Sequence, residues 1–145
     1  MEREKLIQKL KENFADKIVN WEDRSAKRIY VDVRPGDIPE MAKFLFRDLK
    51  ARFITASGVD MPKAIEILYH FGFDKGSLVL SLRTTVAKPK LEIESIAPII
   101  KGAEWIEREI WELLGVNFKN HPNLKRLLMA EDWPEGAYPL RRKRE

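Results

Sequence analysis

The chain has 145 residues and a mass of 17.0 kDa, with 44% apolar and 34% charged residues, a size that lets one core bury about two thirds of the unfolded surface. It contains no cysteine, which excludes disulfides, thiolate zinc sites, cysteine nucleophiles and thiolate-held iron–sulfur clusters built from this chain alone. Much of the net charge of +4 gathers in Arg141-Arg142-Lys143-Arg144-Glu145, so the remainder is close to neutral and its surface is read as solvated and rich in ion pairs.

In chain order, Leu6, Ile7, Leu10 and Phe14 recur at helical spacing and predict an amphipathic helix over residues 2–14. Ile18 to Trp21 and Arg28 to Val33 read as short strands, with Asp23 and Arg24 near the turn between them. Pro35-Gly36-Asp37 punctuates the chain, and Asp37 is placed to cap a helix over residues 38–50. Arg52 to Ser57, Ala64 to Phe71 and Ser77 to Val86 predict a meander of antiparallel strands, separated by Gly- and Pro-bearing turns. Leu91 to Ala97 alternates as a further strand. A helix over residues 102–114 follows, closed by Gly115.

Beyond that point the pattern weakens. Residues 117–145 are punctuated by Pro122, Pro134 and Pro139 and carry only a short apolar burst at Leu127-Leu128-Met129. With so little apolar surface, residues 117–145 read as an extended segment that either lies along the domain or wraps a partner, the latter being the expectation adopted, and residues 1–116 as an α+β domain. The fold class read from the whole pattern is α+β, a mainly antiparallel sheet packed with helices.

No window approaches the roughly twenty apolar residues of a membrane span, and the opening Met1-Glu2-Arg3-Glu4-Lys5 is too charged for a secretory signal, so the expected location is the cytoplasm. Glutamine occurs once, at Gln8, and the abundance of Lys, Arg and Glu matches the bias of heat-adapted proteins. Phosphate-binding GxxxxGK, dinucleotide-binding GxGxxG, HExxH and GxSxG motifs do not occur in the sequence. His70 and His121 would need carboxylates or a partner's ligands to hold a metal. His70 shares a strand face with Glu66 and reads as a structural histidine. Two other classes compete: a basic nucleic-acid-binding domain, suggested by Trp133, Tyr138 and Arg141, and a small hydrolase using Glu66, His70 or Asp132. The first lacks a recognisable motif and the second a nucleophile–base spacing.

In the helix around Glu107-Arg108-Glu109, helical phase puts Ala103, Ile106, Ile110, Leu113 and Leu114 on one stripe facing the sheet. Glu104, Arg108 and Trp111 are then read as projecting from the opposite side, where Trp111 is either covered by the C-terminal segment folding back or, with Arg108, serves as a docking anchor.

Glu107-Arg108-Glu109, Glu112-Leu113-Leu114, His121, Lys125 and Leu127-Leu128 together resemble the signature of the thirty-kilodalton peripheral-arm subunit of respiratory complex I. Ile65 to His70 is similar to that family's strand ending in Tyr-His, and Ala103-Glu104-Trp105 to its Ala-Asn-Trp. His121 to Arg126, Glu131-Asp132-Trp133 and Pro139-Leu140-Arg141 are similar to its His-Pro-Asp-Leu-Arg-Arg, Glu-Asp-Trp and Pro-Leu-Arg elements. The resemblance implies a cofactor-free assembly subunit on the cytoplasmic side, docked on a large catalytic subunit, next to an iron–sulfur subunit, and reaching the membrane only through the complex. Iron–sulfur clusters and a nickel–iron or quinone site would belong to those partners. Asn120, Asn123, Ala130 and Tyr138 depart from the family's usual Gly, Asp, Pro and His, and the Asp-Tyr-Pro that commonly follows is missing. These departures weigh against a quinone-reducing NADH dehydrogenase, and the compact chain with its heat-adapted composition weighs toward an archaeal membrane-bound hydrogenase or similar ferredoxin-linked complex. The partner-binding residues expected on this basis are Arg108, Trp111, His121, Lys125, Arg126, Leu128, Trp133 and Arg141.

Overall fold

The computed structural model describes residues 2–125 and 138–141. Helix α1 (Arg3–Phe14) buries Leu6, Leu10 and Phe14, one residue per turn, and leaves most of its lysines and glutamates in water. Strands β1 (Ile18–Ser25) and β2 (Arg28–Val33) form an antiparallel hairpin. Ser25 pairs with Arg28, so the turn is Ala26-Lys27, and Asp23 and Arg24 lie within β1 rather than beside the turn. Asp23 is used instead by the Arg3 guanidinium and the Trp21 indole N–H.

Pro35 opens a short 3-10 turn that leads into α2 (Ile38–Lys43). The carboxylate of Asp37 makes no capping bond; it accepts from Arg34 Nε at 3.1 Å. The helix expected to reach residue 50 widens after Lys43 into a π turn over Phe44–Asp48, and Lys50 turns the chain with φ of 58°. The wider turn keeps Leu45 fully buried and lets Phe44 stack edge-on against Phe14, joining α1 to α2.

Strands β3 (Arg52–Asp60), β4 (Ala64–Phe73) and β5 (Leu78–Ala87) form the expected antiparallel meander. The sheet order is β1-β2-β5-β4-β3, and β2 runs parallel to β5. The sheet is therefore mixed, with one parallel junction between two antiparallel halves. Along β4, Ile65, Ile67, Tyr69 and Phe71 are fully buried, while Glu66, Leu68 and His70 are half-buried on the other face. On that second face Arg83 bridges Asp32 and Glu22 and lies over the Tyr30 ring.

The strand expected over residues 91–97 is shorter: β6 (Glu92–Glu94) pairs in parallel with β7 (Asn117–Lys119) as a separate two-stranded sheet. Between them lies α3 (Glu104–Leu114), closed by Gly115 in the left-handed conformation with φ of 82°. The boundary drawn after residue 116 thus falls just ahead of β7, whose Phe118 is buried in the core.

Candidate partner-docking surface

Helix α3 is held by polar groups that only tertiary structure brings together. Glu107 has no exposed surface. One carboxylate oxygen accepts from Ser95 Oγ at 2.6 Å and the other from the Ile96 backbone N–H at 3.0 Å. Ser95 Oγ in turn accepts from the Ala97 N–H. Glu107 therefore fastens the loop after β6 to the helix. Burial pushes its carboxyl up to about 7, against the opposing pull of the Ser95 and backbone hydrogen bonds. The His121 side chain is also fully buried, with Nε2 3.9 Å from the same carboxylate. Its Nδ1 accepts from the Asn123 N–H, so Nε2 carries the proton and donates to the Glu104 carbonyl at 2.8 Å. Tyr69 is buried within reach of this charge; burial first and the Glu107 charge second hold its phenol well above the ordinary value.

The end of the helix is clasped by the described terminal residues. Arg141 Nε donates to the Leu114 carbonyl at 2.7 Å, and the Leu140 N–H to the Leu113 carbonyl at 3.0 Å, satisfying carbonyls that a helix end leaves open. A Cβ on Gly115 would lie 2.7 Å from the Arg141 guanidinium and the Tyr138 ring. Glycine is thus required there by both its backbone conformation and its neighbours.

Beside α3 runs a groove of about 240 Å³, walled by Ala56 and Gly58 of β3, Ile106, Ile110 and Leu113 of α3, and Leu140. The helix can come this close because position 58 is glycine: a Cβ there would lie 2.5 Å from Leu114 Cδ1. Large apolar side chains stand in water on the same elements. Trp105 is 66% exposed and Leu140 57%, and Ile54 and Val59 on β3 are exposed as well.

The expected docking residues are distributed differently from the sequence reading. Arg108 is buried, not projecting, and its Nε donates to the Lys125 carbonyl at 2.9 Å. Trp111 is half-buried and packs against the core. Both lie on parts of the helix that the chain itself covers. The His121 side chain is buried, the Lys125 side chain is exposed, and Arg141 is half-buried as the clasp on α3. Arg126, Leu128 and Trp133 lie outside the described residues, as does Asp132. The tryptophan of this helix that does project is Trp105, which is not among the expected docking residues. Phase does not separate it from Trp111: both lie more than about 100° from the middle of the apolar stripe. The difference comes from what the rest of the chain lays against the helix, as with the Lys125 carbonyl on Arg108.

His70 bridges two hydroxyls across three strands, Ser57 Oγ at 3.1 Å and Ser81 Oγ at 2.7 Å. A hydrolytic triad places a carboxylate where Ser81 stands. Burial, helped by the charge of Arg28, lowers the histidine's pKa, in keeping with a structural rung. Among the described residues no group of three or more His, Cys, Asp or Glu could hold a metal ion, and no helix is long and apolar enough to cross a membrane.

Fold and surface together define an α+β domain with an apolar-walled groove between a helix and an edge strand. The family model described as "Respiratory-chain NADH dehydrogenase, 30 Kd subunit" matches residues 31–145, and the chain belongs to that family. One relative, a subunit of the NADH-quinone oxidoreductase of Citrifermentans bemidjiense, is 30% identical over 145 residues, covering 97% of this chain and 88% of that one. Another, a subunit of the F(420)H(2) dehydrogenase of Methanosarcina mazei, is 33% identical over 145 residues, covering 98% and 91%. Among solved structures, a chain of the membrane-bound sulfane sulfur reductase, an archaeal respiratory membrane complex, superimposes with a TM-score of 0.85 at 20% identity, covering 97% of this chain and 84% of that one. That likeness shows the shared fold.

Proposed function

We propose that this chain is a cofactor-free docking subunit in the peripheral arm of a complex-I-like membrane redox complex, on the cytoplasmic side, fastened to the large catalytic subunit and adjacent to an iron–sulfur subunit. The observation that carries the reading is the apolar surface left uncovered on a chain of this family: Trp105 and Leu140 in water, Leu140 lining the groove. Clusters and the nickel–iron or quinone site belong, on this reading, to the partner subunits. The hydrogenase-type branch rests on the heat-adapted composition together with the sequence departures at Asn120, Asn123, Ala130 and Tyr138. A quinone-linked branch is the second reading, favoured by the bacterial relative that serves an NADH-quinone oxidoreductase.

The test is capture of the large subunit by the tagged chain on co-expression. Trp105→Ala is expected to reduce capture at least about tenfold, since exposed tryptophans are frequent binding hot spots, while the stability of the free chain stays within about 1 kcal/mol of the original. Undiminished capture by both Trp105→Ala and Leu140→Ala would remove this surface from the interface.

A further inference from the structure

The two edges of the five-stranded sheet differ in their defences. β1 carries Glu22, Asp23 and Arg24 along its length, and charges on an edge strand discourage pairing with another chain. β3 is nine residues long and, among the described residues, pairs only with β4. Its seven residues from Phe53 to Val59 include neither a charge nor a proline; a register shift at Ile54 interrupts its start, and from Thr55 onward the pairing with β4 is continuous. Because antiparallel pairing uses the N–H and C=O of alternate residues on each side, half of β3's backbone groups point away from β4. Ile54 and Val59 are exposed on this strand.

The groove next to the edge has a charge requirement as well. Glu109 lines it among Ile106, Leu113 and Leu140 and is half-buried. It has no hydrogen-bonding or ionic partner among the described residues, whereas carboxylates at the sheet meet cations: Asp32 and Glu22 meet Arg83, and Asp74 meets Arg52. A carboxylate half-withdrawn from water beside apolar walls gains from a cation delivered to it.

We infer that β3 and its groove accept an extended segment of a partner subunit, which adds to the sheet as a sixth strand. Alternate apolar side chains of that segment enter the groove, and an Arg or Lys on it meets Glu109. Backbone pairing supplies affinity and the groove supplies the sequence preference, the usual division of labour in strand addition. The inference rests on the docking reading above and specifies how one contact of that docking is made.

The test compares amide hydrogen exchange in the free chain and in the co-expressed complex, with Ile54→Lys and Glu109→Lys as variants. Alternate amides of Thr55 to Val59, the regularly paired part of the strand, are expected to slow at least about tenfold in the complex. Glu109→Lys is expected to weaken capture about tenfold, with no change in the unfolding midpoint of the free chain, and Ile54→Lys to weaken it likewise. A complex that forms while β3 exchanges as in the free chain overturns strand addition and leaves the docking reading intact; a wild-type chain that captures no subunit overturns both. Protection of β3 in the free chain together with a dimeric mass would assign the edge to a second copy and overturn the proposal. A loss of free-chain stability in Glu109→Lys would overturn the role given to Glu109, because the chain's own terminal cations would then be its partner.

Discussion

Replacing Glu107 by alanine is expected to cost about 3 kcal/mol at pH 5, because the Ile96 N–H would lose its acceptor and Ser95 Oγ its hydrogen-bonding partner on the helix, and a cavity would open beside them. Glu107→Gln should be far milder. Its amide can donate to Ser95 Oγ and accept from Ile96, which are the roles available to a protonated carboxyl. The two variants separate shape from charge. For a carboxyl raised from an ordinary 4.5 to about 7 in the folded state, the folded chain holds a proton that the unfolded chain has released throughout that window. Stability contributed by the protonated form is therefore complete below about 4.5, falls as pH rises and is gone above about 7. The stability of Glu107→Gln relative to wild type should accordingly increase between about pH 5 and pH 8, by up to about 3 kcal/mol. His70 works in the opposite sense: its folded-state value, lowered from 6.5, predicts loss of stability as pH falls below that ordinary value, in wild type and variant alike. Urea titrations at several pH values read this difference directly. Parallel curves for wild type and Glu107→Gln would show that the carboxyl does not titrate in this range.

Ile110→Ala is expected to destabilise the domain by about 3 kcal/mol, since Ile110 is 5% exposed and wedged between the helix and β3 near Gly58. Trp111→Ala should cost less, about 1–2 kcal/mol, because its ring is only half-buried against the core. Trp105→Ala should cost least, its ring being mostly in water. The order Ile110, Trp111, Trp105 in urea midpoints is the signature of a helix buried on one side and covered along part of its back. A cost for Trp105→Ala equal to that for Ile110→Ala would mean that the exposed tryptophan is a core residue.

What the sequence reveals and what it conceals follow from how local each feature is. The spacing of Leu6, Leu10 and Phe14, the alternation through Ile65, Ile67, Tyr69 and Phe71, and the stop at Gly115 are local patterns, and each marks its element in the structure. The parallel junction of β2 with β5 joins strands separated by a helix and a hairpin, so no local pattern announces it. Glu107 reads as a flank residue of an amphipathic helix. It becomes buried only because Ser95 and His121 return to it from either side of α3. Arg108 looks exposed by helical phase alone, and Lys125, seventeen positions later, supplies its acceptor. The docking role proposed above comes from the family resemblance more than from any residue pattern. The groove itself depends on Gly58 meeting α3 across the fold, a contact that spacing does not encode.

The central claim, that this chain serves by binding the cofactor-bearing subunits of a membrane complex, is tested most directly by purifying it under mild detergent from cells that naturally make it, with an affinity tag on the chain. The account predicts elution in a large assembly with a catalytic large subunit and an iron–sulfur subunit in equal amounts, all of the iron being retained by those subunits when this chain is stripped away. Elution of the chain alone, or with iron that stays on it after the others are removed, would contradict the account.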